Sequence, residues 1–236
     1  MIKTHYFSKQ GKNKLNQDSI LQIKSENEIY LFAIADGMGG EKGGNIASNY
    51  SLNIVQELFN DNNQISMKDI FKFTSEKLKK LAKVLPEYSN MATTLTICII
   101  KNHTAYIGHV GDCRIYHLRD KGIMSRTKDQ TEVQKLLDDK ILTKSLAKNY
   151  HRKNILLSLL SASINYNLQE DKFDVMNGDR ILLLSDGVYN VLKNKIYIRD
   201  LSIKSLTIND LLYNIEEAVE KEKIIDDYSC IGIEII

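Results

Sequence analysis

Two hydrophobic periods take turns along the chain. Residues 4–8 read as a short strand and 9–17 as a polar loop. Residues 19–24 alternate apolar and polar, as a half-buried strand does. Asn27 and Glu28 turn the chain into Ile29-Tyr30-Leu31-Phe32-Ala33-Ile34-Ala35, an apolar run that predicts a buried strand. A glycine-rich loop is expected over 37–44, and a helix over 45–59, where Ile46, Tyr50, Ile54, Val55, Leu58 and Phe59 fall at helical spacing. A second helix is expected over 67–85. Ser66 is its N-cap, Asp69 stands three residues on, and Pro86 stops it.

Strand-like runs follow at 93–100, 103–110 and 113–119. Lys101-Asn102, Gly111-Asp112 and Asp120-Lys121-Gly122 read as hairpin turns between and after them. Residues 130–169 look helical but irregular, with 132–137 and the apolar stretch 155–160 as the clearest pieces. Strands at 172–176 and 180–185 flank the turn Asn177-Gly178-Asp179. A short helix is expected near Val188, another over 209–223, and a closing strand over 230–236. Hairpins outnumber strand–helix–strand crossovers. This favours one antiparallel α+β layered domain over 1–236, not a doubly wound parallel sheet.

Composition narrows the function classes. The length of 236 residues is enough for a substantial core. A net charge of +2, from 32 basic and 30 acidic residues, gives no reason to expect a nucleic-acid or membrane partner. No apolar run approaches the length of a membrane span, and the N-terminus has no apolar signal core. Cys98, Cys113 and Cys230 are widely spaced and lie in or beside apolar strands. They read as reduced, packed thiols of a cytoplasmic protein.

The chemistry is carried by acids beside glycines after hydrophobic strands. Asp36 is followed by Gly37, Gly39 and Gly40; Gly111-Asp112 and Asp186-Gly187 follow two further strands, and Asp226-Asp227 precedes the last. A lone Asp-Gly is usually only a turn. Its recurrence at strand ends suggests a shared site for a hard cation, which takes oxygens from carboxylate, carbonyl and water. Asp179 reads as turn chemistry, Asp129 as a cap or surface residue ahead of a helper at a cation site, and Arg114 as the partner of a nearby carboxylate.

Seven motifs in order resemble the metal-dependent type 2C protein serine/threonine phosphatases in their compact bacterial form. They are Asn16-Gln17-Asp18, Ala35-Asp36-Gly37-Met38-Gly39-Gly40, Met91-Ala92-Thr93-Thr94-Leu95, His109-Val110-Gly111-Asp112-Cys113-Arg114-Ile115-Tyr116, Thr127-Lys128-Asp129, Leu183-Leu184-Ser185-Asp186-Gly187 and Asp226-Asp227-Tyr228-Ser229. The resemblance spans essentially the whole chain. It implies two antiparallel sheets packed face to face with helices on both outer faces, a four-layer sandwich. It also implies hydrolysis of phosphoserine and phosphothreonine by a water bridging two Mn²⁺ or Mg²⁺ ions, with a third, weaker site.

By the same resemblance, Asp36, the Gly37 carbonyl, Asp186 and Asp226 hold the first two ions, and Asp112 shares the third with Asp186. Asp18 orders water behind them. The implied partners are phosphorylated proteins and a cognate Ser/Thr kinase, for a monomer with no nucleic-acid or membrane partner. The segment 127–165 is implied to form a flap over the site. Several positions depart from the family pattern. Asn13 replaces an arginine that binds substrate phosphate, so Lys12, Asn13 and Lys14 become the candidates for that task, with lysine offering a point charge where arginine offers a fork. Gln17 and Asn45 stand where Glu is frequent, Asp227 where Asn is typical, and Cys113 where Ser is commoner. Met38 occupies the place of a proposed general acid; His109 and His151 are the alternatives for that role. The competing expectation is a phosphatase fold kept as a weakly active or inactive binding protein.

Overall fold

The computed structural model describes residues 1–236 except 13 and 193, and excludes the side chains of 41 and 42. β1 (Ile2–Lys9) pairs antiparallel with the last strand, β12 (Tyr228–Ile235), so the two ends of the chain lie side by side. β12 then pairs with β11 (Arg180–Leu184), β11 with β7 (Arg114–Arg119), and β7 with β8 (Gly122–Ser125), giving a five-stranded sheet. The second sheet has seven strands. Its path runs β10 (Gln169–Asp174), β6 (Thr104–Val110), β5 (Leu95–Lys101), β3 (Tyr30–Met38), β4 (Ala92–Thr93) and β9 (Leu160–Ser161), and β2 (Asp18–Lys24) pairs with β3 off that path.

Alternation along the strands builds three apolar layers. On β3, Leu31, Ala33 and Ala35 face α1 (Glu41–Asp61) and α2 (Met67–Val84), together with Phe59, Phe71 and Leu78. Phe32 and Ile34 point the other way and meet Ile115, Ile181, Leu183, Ile231 and Ile233 from the facing sheet. On β11 and β12, Leu182, Leu184 and Cys230 face α5 (Asp186–Leu192), α6 (Lys195–Lys204) and α7 (Ile208–Glu220). The result is the expected four-layer arrangement, helices–sheet–sheet–helices. Two short helices, α3 (Glu132–Asp138) and α4 (Lys144–Ala147), lie in the segment between β8 and β9.

Capping follows the sequence at α2, where Ser66 Oγ accepts from the Asp69 N–H at 3.1 Å. Elsewhere the structure corrects local expectations. Gly111-Asp112 and Asn177-Gly178-Asp179 are not hairpin turns. β6 is already paired on both edges, by β5 and β10, so after Gly111 the chain leaves that sheet and enters the other as β7. The 177–179 turn likewise carries the chain from β10 to β11 across the sandwich. Residues 155–160 are extended, not helical: Leu156 bridges Thr131, and Leu160 begins β9. α1 starts at Glu41, inside the supposed loop, and α6 was not foreseen as a helix of its own.

Candidate metal centre and active site

β2 and β3 set Asp18 directly opposite Asp36. By parity Asp36 shares the inter-sheet side of β3 with Phe32 and Ile34, and Asp18 shares it with Ile20. Both acids therefore stand at one end of the cleft between the sheets. β3 does not stop at Asp36; it runs on through Gly37, which pairs with Thr93, to Met38. Asp112 enters from the crossing after β6, Asp186 from the first turn of α5, and Asp226 from the approach to β12.

The glycines earn their places by letting backbones touch. A Cβ on Gly37 would lie 2.0 Å from the Gly44 carbonyl oxygen, and one on Gly44 would lie 2.7 Å from that of Gly37. Strand β3 and helix α1 thus meet glycine to glycine next to Asp36. On the other side, Gly11 and Gly187 press against the backbone at 226–227, with Cβ positions 2.3 Å from Asp226 O and 2.0 Å from Asp227 O.

The acids feel one another. Burial, then the charges of Asp18, Asp186, Asp112 and Asp226, holds the Asp36 carboxyl well above its ordinary range. Burial and then Asp112 and Asp226 do the same to Asp186. Asp18 is pushed up to about 7, chiefly by burial, and Asp112 to about 6 by burial and Asp129. Asp226, more open, is raised mainly by desolvation. Such a set is frustrated without positive charge among it.

Two atoms show where that charge belongs. Asp112 Oδ1 and Asp186 Oδ1 are buried with no hydrogen-bond partner among the described residues. An ionised oxygen in that condition is costly unless a cation completes it. Among the described residues no three Asp, Glu, His or Cys side chains converge tightly enough to cage one ion unaided. Carboxylate and carbonyl oxygens, completed by water, are the ligand types that suit Mg²⁺ and Mn²⁺. The donors are oxygens only. Cys113 is buried, with its thiol raised well above the usual range by burial and then Asp36, so it stays protonated and is no nucleophile.

The acids' supports went unread in the sequence. Ser185 Oγ donates to Asp18 Oδ2 at 2.7 Å and accepts from the Ser229 N–H at 2.9 Å. Tyr189 O–H donates to Asp112 Oδ2 at 3.1 Å, and Asn190 Nδ2 donates to Asp186 Oδ2 at 3.1 Å. Only the last had a signal in the sequence: Asn190 stands at i+4 from Asp186 on one short helix. Asp227 accepts from the Gly11 N–H at 2.7 Å and the Gln17 N–H at 2.8 Å, one on each oxygen. An Asn there has one acceptor oxygen, not two, so Asp at this position pins the 11–17 loop at both ends. Lys12 and Lys14, on that loop, are exposed; Asn13 lies outside the described residues.

Three side chains flagged in the sequence have well-defined structural partners. Asp129 takes a two-pronged ion pair from Arg114, at 2.9 and 2.6 Å, and is neither a cap nor plain surface. Asp179, 1% exposed, does more than turn the chain: it binds Arg119 at 2.8 and 2.7 Å and faces His117. His109 is fully buried between Thr96 Oγ1, at 2.8 Å, and the Lys128 carbonyl, and burial lowers it to about 4, which favours the neutral imidazole.

A family model described as protein phosphatase 2C matches residues 8–222. The chain belongs to the protein phosphatase 2C family. A serine/threonine phosphatase of Listeria monocytogenes is 28% identical over 186 residues, 75% of this chain and 73% of that protein. The protein phosphatase PhpP of Streptococcus pneumoniae is 26% identical over 202 residues, covering 83% and 81%. The solved serine/threonine phosphatase of S. agalactiae superposes with a TM-score of 0.88 at 24% identity over the whole of both chains. The catalytic domain of PstP, solved in complex with 2 manganese ions, superposes at 0.84 with 23% identity over 99% of this chain and 97% of that one. As a protein phosphatase 2C the chain is a Mn²⁺- or Mg²⁺-dependent hydrolase of phosphoserine and phosphothreonine, and phosphoproteins are its substrate class.

Proposed function

We propose that this protein phosphatase 2C is one catalytic unit over 1–236 whose ions are held by Asp36, the Gly37 carbonyl, Asp186 and Asp226, with Asp112 and Asp186 serving a third, weaker site. When bound, the ions supply an activated water near neutral pH and neutralise charge on the phosphoryl oxygens. The chain's own residues do the rest. Asp18, its Oδ2 fixed by Ser185, is positioned to orient water beside Asp36. Asp227 pins both ends of the loop that carries the phosphate-binding candidates Lys12 and Lys14; Asn13, the third candidate, lies outside the described residues. With Cys113 protonated and His109 neutral, the path is direct hydrolysis with no covalent enzyme intermediate. The leaving oxygen takes its proton from water.

The observation that carries this reading is the pair of orphaned oxygens, Asp112 Oδ1 and Asp186 Oδ1, in a cluster of mutually raised carboxyls. A phosphatase fold kept for binding alone has no reason to retain that frustration. We further propose that the enzyme opposes a Ser/Thr kinase, acts as a monomer, and works in the cytoplasm, where the three free thiols stay reduced. The test is hydrolysis of p-nitrophenyl phosphate by the purified protein. Activity should depend on Mn²⁺, vanish with chelator, and fall by about 10²-fold or more in Asp36→Asn, on the scale of losing a charge-stabilising group. Equal rates with chelator or in Asp36→Asn would refute it.

A further inference from the structure

Two hollows flank the acid cluster, and they share a wall. One, of about 520 Å³, opens at Asp112 and Tyr189 and runs under α3 and α4. The other, of about 350 Å³, opens at Asp186 and Asp226. Lys153, Asn154 and Asn190 line both, so Lys153 stands at the wall between the two hollows, beside the acid cluster.

The larger hollow is cationic in a particular way. Lys144, Lys148 and Lys153 all line it. None of their ammonium groups has a hydrogen bond or ion pair among the described residues. Neighbouring acids are already matched: Asp129 by Arg114, Glu132 by Arg152 at 2.7 Å, and Asp138 by Lys128 at 2.7 Å. Asp112, at the inner end, belongs to the metal cluster. Among the charged residues that line the hollow, Arg114 and Asp129 pair, Asp112 belongs to the metal cluster, and three lysines are left over along one trough leading away from the reacting centre.

We propose that this trough reads the residues flanking the phosphorylated one. Its occupant is an anionic stretch of the same substrate chain, carrying carboxylates or a second phosphate. The inference rests on the phosphatase reading of the cluster and adds the substrate's charge pattern to it. A phosphate in the cluster fixes the peptide's register, and the extended chain beyond it lies along Lys153, Lys148 and Lys144. Each contact is a partly exposed ion pair, so three together give a preference of about 5- to 10-fold, not an absolute requirement.

The test uses the Mn²⁺-loaded protein and three phosphothreonine peptides, identical except for flanks of alanine, of glutamate, or of a second phosphoserine. The expected kcat/KM for both anionic peptides exceeds that for the alanine peptide by about 5- to 10-fold at low salt, and the ratio shrinks as salt rises. In Lys144→Glu/Lys148→Glu the ratio should fall to one or invert; Lys148→Ala gives a milder step should the double reversal fold poorly. Carboxylate and phosphate sources separate by comparing the two anionic arms. Anisotropy of the labelled alanine and glutamate peptides, lacking the central phosphate, reads the trough without turnover, and release of phosphate from the phosphothreonine alone is scored in the doubly phosphorylated peptide. Equal kcat/KM and equal affinity for alanine and anionic flanks, or a preference untouched by charge reversal, would overturn the proposal. Absence of Mn²⁺-dependent p-nitrophenyl phosphate hydrolysis would instead indict the phosphatase reading.

Discussion

At the scale of single residues, what matters is how the acids are held. Asp112 is reached by one donor, the Tyr189 hydroxyl, while the Tyr189 ring lies 3.6 Å beneath the Arg114 guanidinium, which itself clamps Asp129. Tyr189→Phe keeps the ring, the cation–π contact and the packing of α5, and removes only the donor. The fold should lose about 1 kcal/mol, the net worth of one hydrogen bond. Asp112 then has both oxygens without a fixed partner, and the ion it helps to hold should bind several-fold more weakly. Calorimetric Mn²⁺ titration of the two proteins would show the weakest step displaced in the variant. An unchanged isotherm would mean that the hydroxyl does not position the carboxylate.

Elements show both the reach and the limit of pattern reading. The buried strand 29–35, the capped second helix and the closing strand were legible because their period is long and their termini carry Ser66 and Pro86. Asp36, Asp112 and Asp186 were legible because each stands beside a glycine after a hydrophobic run; Asp18 and Asp226 have no such neighbour and were legible through the family motifs. Illegible were the sheet changes after Gly111 and at 177–179. A turn signal reports that the chain reverses, and says nothing about whether the next strand finds a free edge. Glycines at 43 and 44 were read as loop, yet both lie inside α1, because packing against β3 outweighs their low helix propensity. This makes a paired prediction. A Cβ on Gly43 meets nothing closer than 3.6 Å, so Gly43→Ala should stabilise the helix by about 0.5–1 kcal/mol. A Cβ on Gly44 meets Gln17 Oε1 at 2.1 Å and the Gly37 carbonyl oxygen at 2.7 Å. The glutamine can swing aside; the strand carrying Asp36 cannot. Gly44→Ala should therefore destabilise by about 1–3 kcal/mol and weaken Mn²⁺ binding along with it. Thermal melts in chelator and in Mn²⁺ would check both, and equal behaviour of the two variants would show that the strand–helix contact yields.

For the whole molecule, the sandwich is tied to the 127–165 segment through His109. Its Nδ1 meets Thr96 on β5 and its Nε2 reaches the Lys128 carbonyl at 3.3 Å, so one buried imidazole links the sheet to the strap that carries the lysine trough. Burial depresses it from 6.5 to about 4. A depressed histidine gives stability that is complete above 6.5 and is lost as pH falls toward 4, because the unfolded chain takes up the proton first. Across that full window the loss amounts to roughly 3 kcal/mol. The metal-free acid cluster runs the opposite way: Asp18 and Asp36 are raised, so the folded state binds protons more readily and acidification relieves their repulsion. Wild-type stability against pH is the difference of two opposed slopes, and its shape alone identifies neither. Comparison with His109→Asn separates them, since the cluster is common to both proteins and cancels. In denaturant titrations with chelator, wild type should lose stability relative to the variant steadily from pH 7 down to pH 5, by about 2 kcal/mol over that interval. A gap that stays constant would show that the imidazole keeps its proton balance on unfolding, and that the link between sheet and strap does not depend on its neutrality.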